Sequence, residues 1–129
     1  MDCPVCKSAM IILEFKEVEL DYCLTCHGIW LDQGELEVLL DMKEQIDFSH
    51  MTDLEKSRRK CPRCHKKMAK TRYPNSEIEV DLCPRDSGVW LDKGEIEAIA
   101  RSSTSQSSFQ KIAEFFKDFY QDKSIDEEA

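Results

Sequence analysis

Three Cys-x-x-Cys pairs and one Cys-x-x-Asp pair punctuate the chain, and their spacing repeats: Cys3/Cys6 with Cys23/Cys26, then Cys61/Cys64 with Cys83/Asp86. The stretches "CLTCHGIWLDQGELE" (23–37) and "CPRDSGVWLDKGEIE" (83–97) agree at eight of fifteen positions. Cys3 to Cys61 is a step of 58, whereas Cys23 to Cys83, Gly28 to Gly88, Trp30 to Trp90 and Gly34 to Gly94 are steps of 60. The chain is therefore an internal repeat whose second copy carries two extra residues between its halves.

A repeat of about 40 residues buries too little apolar surface to offset its chain entropy and needs a staple. Seven cysteines, an odd number, make a poor disulfide framework, while paired Cys-x-x-Cys is the usual grammar of zinc sites in reducing compartments. The first site is predicted to be Cys3, Cys6, Cys23 and Cys26, and the second Cys61, Cys64, Cys83 and Asp86, for two Zn2+ per chain. A carboxylate oxygen is a legitimate zinc ligand and keeps the charge of the thiolate it replaces. His65 or a water is the alternative fourth ligand of site two. His27 and His65 each follow a knuckle cysteine, and both are expected to face solvent, since adjacent residues rarely point into one tetrahedron. A thioredoxin-like role is disfavoured because each Cys-x-x-Cys precedes strands and does not open a helix.

Between the knuckles the pattern alternates. Val18, Leu20 and Tyr22 stand against Glu17, Glu19 and Asp21, and Ile78, Val80 and Leu82 against Glu77, Glu79 and Asp81. Residues 10–15 and 68–73 are the expected partner strands, and the longer turn "PNS" takes the insertion. After each second knuckle Asp32 with Glu35, and Asp92 with Glu95, predict a capping box that starts a short helix. Leu36, Leu39 and Leu40 share one face of that helix, as do Ile96, Ile99 and Ala100. Trp30 and Trp90 are expected to lie over their own hairpins as the main apolar mass of each copy. The fold class is thus small metal-stabilised α+β: two tandem zinc-ribbon hairpins, each followed by a short helix, plus a C-terminal amphipathic helix. Ribbon 1 covers 1–40 and ribbon 2 covers 61–101, joined by a charged, partly helical connector over 41–60. A Ser-rich flexible linker (102–108), the helix (109–121) and an acidic tail (122–129) follow.

Charge is unevenly spread under a net of −8. Residues 1–50 carry 3 Lys/Arg against 11 Asp/Glu, whereas residues 51–101 carry 12 against 9. The segment 56–72 holds nine cations and no carboxylate: Lys56, Arg58, Arg59, Lys60, Arg63, Lys66, Lys67, Lys70 and Arg72. These are the candidate nucleic-acid contacts, unless the acidic ribbon neutralises them intramolecularly. In the tail, Phe109, Ile112, Phe116, Phe119 and Tyr120 form an apolar stripe at helical spacing, the candidate surface for self-association or a protein partner. With a cysteine at position 3 and no run of about 18 apolar residues, no signal peptide or membrane span is expected, and the chain reads as cytoplasmic.

The quoted residues, with "CPVC" and "CPRC" upstream, resemble the transcription-factor-IIB-type zinc-ribbon family of small bacterial proteins, over about 3–40 and 61–100. The resemblance implies a zinc-binding fold held by Cys3, Cys6, Cys23 and Cys26 and by Cys61, Cys64 and Cys83, with a prior toward polymerase or nucleic-acid contact. Asp86 and Ser87 depart from the family pattern. Taken together, the expectation is a zinc-binding adaptor with no catalytic residues, possible contact with the transcription machinery, and nucleic-acid binding through 56–72 as the alternative. Neither the His-x-Glu of deaminases nor a His-Glu-x-x-His helix is present in the sequence.

Overall fold

The computed structural model describes residues 1–46 and 55–128, with side chains described through residue 120. Its strands are β1 (Ile11–Phe15), β2 (Val18–Tyr22), β3 (Ile29–Leu31), β4 (Glu55–Lys60), β5 (Lys67–Arg72), β6 (Glu79–Leu82) and β7 (Val89–Leu91). Helices α1 (Glu35–Leu39), α2 (Glu95–Ser103) and α3 (Gln106–Glu128) complete it. All seven strands lie in one sheet, in the order β1-β2-β3-β7-β6-β5-β4. The two ribbons are therefore halves of one sheet.

The hairpins form where alternation predicts them. β1 and β2 are joined by a two-residue turn, with Phe15 opposite Val18. Lys16 and Glu17 both have positive φ, 53° and 66°, as a type I′ turn requires. In the second copy Tyr73 donates to Ile78 across a four-residue loop, 74–77, so the two inserted residues sit in the turn as expected. Helix-facing Val18, Leu20 and Tyr22 are buried.

What joins the copies is a third strand in each. β3 and β7 pair antiparallel, with Trp30 opposite Trp90 and Ile29 opposite Leu91, about an approximate two-fold axis. Across that axis the indoles exchange places. A Cβ on Gly28 would lie 2.2 Å from the Trp90 ring, and one on Gly88 would lie 2.1 Å from the Trp30 ring. Each tryptophan lies against the other copy's glycine, contrary to the expectation that it covers its own hairpin. Both indoles are fully buried with the cysteines of both metal sites on one face of the sheet.

The opposite face carries the main core, from Leu20, Tyr22, Ile29 and Leu31 through Val80, Val89 and Leu91, under the helices. α1 has five residues and α2 nine, too little to cover this face between them. α3 supplies the remainder: Ile112 and Phe116 are fully buried, and Phe109, Phe119 and Tyr120 half-buried, against that core. Phe15 meets Phe115 at 4.6 Å, and Tyr22 meets Phe119 at 5.5 Å, between ring centroids. The stripe expected to face a partner is thus packed on the chain's own ribbons, because fusing the sheets creates a broad apolar face that neither ribbon has alone.

Three boundaries differ from expectation. In the connector, 41–46 is turn and bend and 55–60 is strand, so its described part is not helical, and 47–54 lie outside the described residues. Ser102 and Ser103 end α2, and α3 starts at Gln106 after Ser105, whose hydroxyl accepts from the Ser108 amide. The supposed linker is a helix junction with a serine cap. The helix also runs past residue 121 to Glu128, through the segment read as an acidic tail.

Candidate metal centres

All four knuckles have one backbone design. Lys7, His27, His65 and Ser87, the residues after each second donor, have φ of 66°, 64°, 64° and 63°. Each donates its amide to the carbonyl four residues back, from Lys7 to Cys3 and from Ser87 to Cys83, at 2.8–2.9 Å. The first donor's amide then reaches five residues forward, Cys23 to Gly28 and Cys83 to Gly88. Amides point inward at the sulfurs: Val5 and Cys6 donate to Cys3 Sγ at 3.3 and 3.2 Å, and Arg63 and Cys64 to Cys61 Sγ at 3.4 Å. The knuckle is a ring of N–H dipoles suited to thiolates.

These knuckles converge pairwise. The donor atoms of Cys3, Cys6, Cys23 and Cys26 lie within 4.8 Å of one another, as do those of Cys61, Cys64, Cys83 and Asp86. Cys3 and Cys26 sulfurs are 3.6 Å apart, and Cys64 and Cys83 sulfurs 3.7 Å apart. A tetrahedron with Zn–S bonds of about 2.3 Å has edges of about 3.8 Å, so the donors already span a zinc coordination sphere. All seven cysteines are free thiols.

Asp86 stands where a fourth cysteine would. Its Oδ2 lies 3.2 Å from Cys61 Sγ, and its Oδ1 accepts the Gly88 amide at 3.0 Å. One oxygen is therefore tied to backbone and the other offered to the metal. The Gly28 amide makes the corresponding hydrogen bond to Cys26. Asp86 thus stands in the fourth donor position of a complete second group.

The thiols are tuned unevenly. Burial opposes ionisation of Cys23, yet the Cys26 amide, the Ser8 hydroxyl and the Thr25 amide bring it down to about 6. Burial pushes Cys26 up and Cys61 up to about 12, with Asp86 adding to the latter. Four such donors cannot all ionise side by side unaided; a divalent cation held by them would resolve the conflict and displace the protons. Site two has one further device. Arg85 donates to Cys64 Sγ at 3.1 Å and to the Lys67 carbonyl at 2.7 Å, which draws Cys64 down to about 7. Site one has Thr25 in that place. The only sequence signal for this role was an arginine beside the anomalous aspartate.

Neither histidine joins a donor group. His65 is exposed, as expected, whereas His27 is only 4% exposed: its Nδ1 shares a hydrogen bond with the Tyr22 hydroxyl and its ring meets Tyr120 edge-on. The solvent-facing reading fails for His27 because α3 lies over it. Asp32 and Asp92 also differ from expectation. Both helices start at a left-handed glycine, Gly34 and Gly94, with no side-chain cap. Half of each box survives, Glu35 and Glu95 accepting the amides of Asp32 and Asp92 at 2.7 Å. The aspartates instead accept the indole N–H of Trp30 and Trp90 at 3.0 and 3.1 Å, so they orient the interlocked rings.

The basic segment is divided. Arg59 binds Asp81 at 3.0 Å and Asp92 at 2.8 Å, Arg63 pairs with Asp32 of the other ribbon, and Lys70 lies 3.9 Å from Glu79. Arg59 and Arg63 are thus engaged within the chain, and Lys70 has a carboxylate within ion-pair range. Lys56, Arg58, Lys60, Lys66, Lys67 and Arg72 remain exposed, with no ion pair to a described residue.

Comparison with known proteins agrees with this geometry. The model of the family described as "Transcription factor zinc-finger", the TFIIB-type zinc ribbon, matches residues 2–42 and 60–102. The chain belongs to this zinc-ribbon family. No curated protein and no solved structure matches it. As a tandem zinc ribbon it binds two zinc ions, through Cys3, Cys6, Cys23 and Cys26 and through Cys61, Cys64 and Cys83, with Asp86 completing the second donor set. Among the described residues no helix is long and apolar enough to cross a membrane.

Proposed function

We propose that this tandem zinc ribbon is a metal-stapled adaptor that docks a protein of the transcription machinery and is not an enzyme. The observation that carries the reading is the complete set of four protein donors at each site, held on rigid knuckles, which is the pattern of structural zinc; catalytic zinc keeps one position for water or substrate. Because α3 is occupied on its own core, the contact surface is assigned to the metal end of ribbon 1. There Val5 and Leu24, at the tips of two adjacent knuckles, are 41% and 49% exposed, and Met1, two residues before the first knuckle cysteine, is 41% exposed. The corresponding tips in ribbon 2 are Arg63 and Pro84. Apolar tips within an acidic ribbon suit a partner with an apolar pocket and a basic rim.

Two experiments test the reading. The zinc-loaded chain should co-sediment with purified bacterial core RNA polymerase, and Val5→Asp with Leu24→Asp should abolish this while retaining two zinc ions; no co-sedimentation of the wild type retires the transcription assignment. Cobalt-substituted protein should give tetrahedral spectra unmoved by azide. An azide-induced change at site two would reveal an open coordination position and return catalysis to consideration.

A further inference from the structure

The edge strand β4 and its neighbour β5 pair Lys60 directly with Lys67 and Lys56 with Ala69. Between these pairs β4 bulges, and Ser57 and Arg59 turn to the tryptophan face, where they bond Asp81. Lys56, Arg58 and Lys60 therefore point to the opposite face. Lys67 joins them, since it alternates with Ala69, which stands opposite Leu82 on that same face. The result is four exposed cations on one face of two paired strands. Glu55, opposite Lys70, points to the other face.

Like charges placed directly opposite each other destabilise a sheet. Lysines on an edge strand do guard against aggregation, which accounts for β4 but not for Lys67 on the inner strand. None of the four cations forms an ion pair with a described carboxylate, and the far strand of the acidic ribbon is out of range. Six inter-strand steps of about 4.8 Å put β1 about 29 Å from β4, several times the Debye length of about 8 Å at physiological salt. Among the described residues no carboxylate neutralises the strip, and a polyanion is a complement of the right charge and length. From Lys56 to Lys60 the strand spans about 13 Å, over which a duplex presents about four phosphates per strand. The nearest aromatic in sequence, Tyr73, is buried in the core, so it offers no platform for stacking unpaired bases.

We propose that Lys56, Arg58, Lys60 and Lys67 form a sequence-independent docking strip for the phosphate backbone of duplex nucleic acid. This holds whether or not ribbon 1 docks a protein. The test is fluorescence anisotropy with a short mixed-sequence DNA duplex and the zinc-loaded full chain. Four phosphate contacts give a slope of log affinity on log salt of about −3.6, a loss of roughly 10²-fold between about 50 and 200 mM. The quadruple variant Lys56→Gln, Arg58→Gln, Lys60→Gln, Lys67→Gln should lose that binding with zinc content and circular dichroism unchanged; Lys60→Gln with Lys67→Gln alone should about halve the slope and serves if the quadruple variant misfolds. A control variant, Arg72→Gln, Lys111→Gln, Lys117→Gln, removes similar charge elsewhere and should bind like wild type. Three results overturn the proposal: no binding at about 50 mM salt, equal loss in the control, or displacement by polyglutamate at equal charge concentration, which would make the ligand an acidic protein.

Discussion

Ribbon 1 and ribbon 2 share a backbone down to the four left-handed residues after their knuckles, yet they differ in nearly everything the backbone leaves free. Ribbon 1 has four sulfurs, apolar knuckle tips and an acidic surface. Ribbon 2 has three sulfurs and a carboxylate, an arginine on one sulfur, and a basic edge. A knuckle places its second donor by amide hydrogen bonds and a left-handed turn, so either a thiolate or a carboxylate reaches the metal from the same backbone. The copies could diverge in donor hardness and surface charge while the Gly-x-Trp interlock kept them in one sheet.

The largest expected effect tests whether they remain two units. Each structural zinc is worth about 10–16 kcal/mol of apparent binding energy in small peptides, so stripping both should unfold the chain. Metal should leave in two steps and structure in one, because each indole reports on the other ribbon's glycine. Near-UV circular dichroism of Trp30→Phe and Trp90→Phe variants during graded chelation should give coincident transitions. Separate transitions would show the ribbons to be independent.

Next in size is the interlock. Gly28→Ala and Gly88→Ala each drive a methyl to within about 2 Å of a buried indole, and overpacking of this kind costs about 1–3 kcal/mol. Both should lower the midpoint of thermal unfolding by similar amounts. A marked inequality would break the two-fold equivalence.

Site chemistry follows. Because carboxylate is the harder donor, ribbon 2 should lose zinc first to a graded chelator, and Asp86→Cys should erase the order by raising site-two retention. Simultaneous release in the wild type would mean that the Gly88 amide and Arg85 make up for the missing sulfur.

How much of this could be read from the sequence depended on how local the cause was. The metal sets, both hairpins and the placement of the insertion were legible, since spacing and alternation are properties of short segments. β3 and β7 were not: three consecutive apolar residues carry no period, and their pairing is a contact across 60 residues. Missing that pair also misplaced the tryptophans and left α3 without a surface to cover. Asp32 read as a cap because Asp-x-x-Glu is a helix signature; its real partners, an indole two residues back and Arg63 on the other ribbon, appear only once the sheets fuse. His27 failed for the same reason.

The smallest expected effect concerns the equivalent glutamates. Glu35 and Glu95 are both raised, first by burial and then by neighbouring aspartates, and Glu95, against Asp92 and Asp81, reaches about 7. A carboxyl whose folded value lies above the ordinary value of about 4.3 binds more protons folded than unfolded across that interval. Its contribution therefore weakens stability as pH rises from about 4.3 to about 7, and above that the penalty is complete. Acid release of zinc acts in the opposite sense, so the measurable window is the upper end, near pH 6–8, where the sites stay loaded. Glu95→Gln keeps an acceptor for the Asp92 amide and removes the charge. It should raise the midpoint of denaturant unfolding at pH 8 more than at pH 6, whereas Glu35→Gln should do so less. An equal response from the two, or a loss of stability at pH 8 from Glu95→Gln, would show that Arg59 already holds that carboxylate ionised and that ribbon 2 has no additional sensitivity to pH.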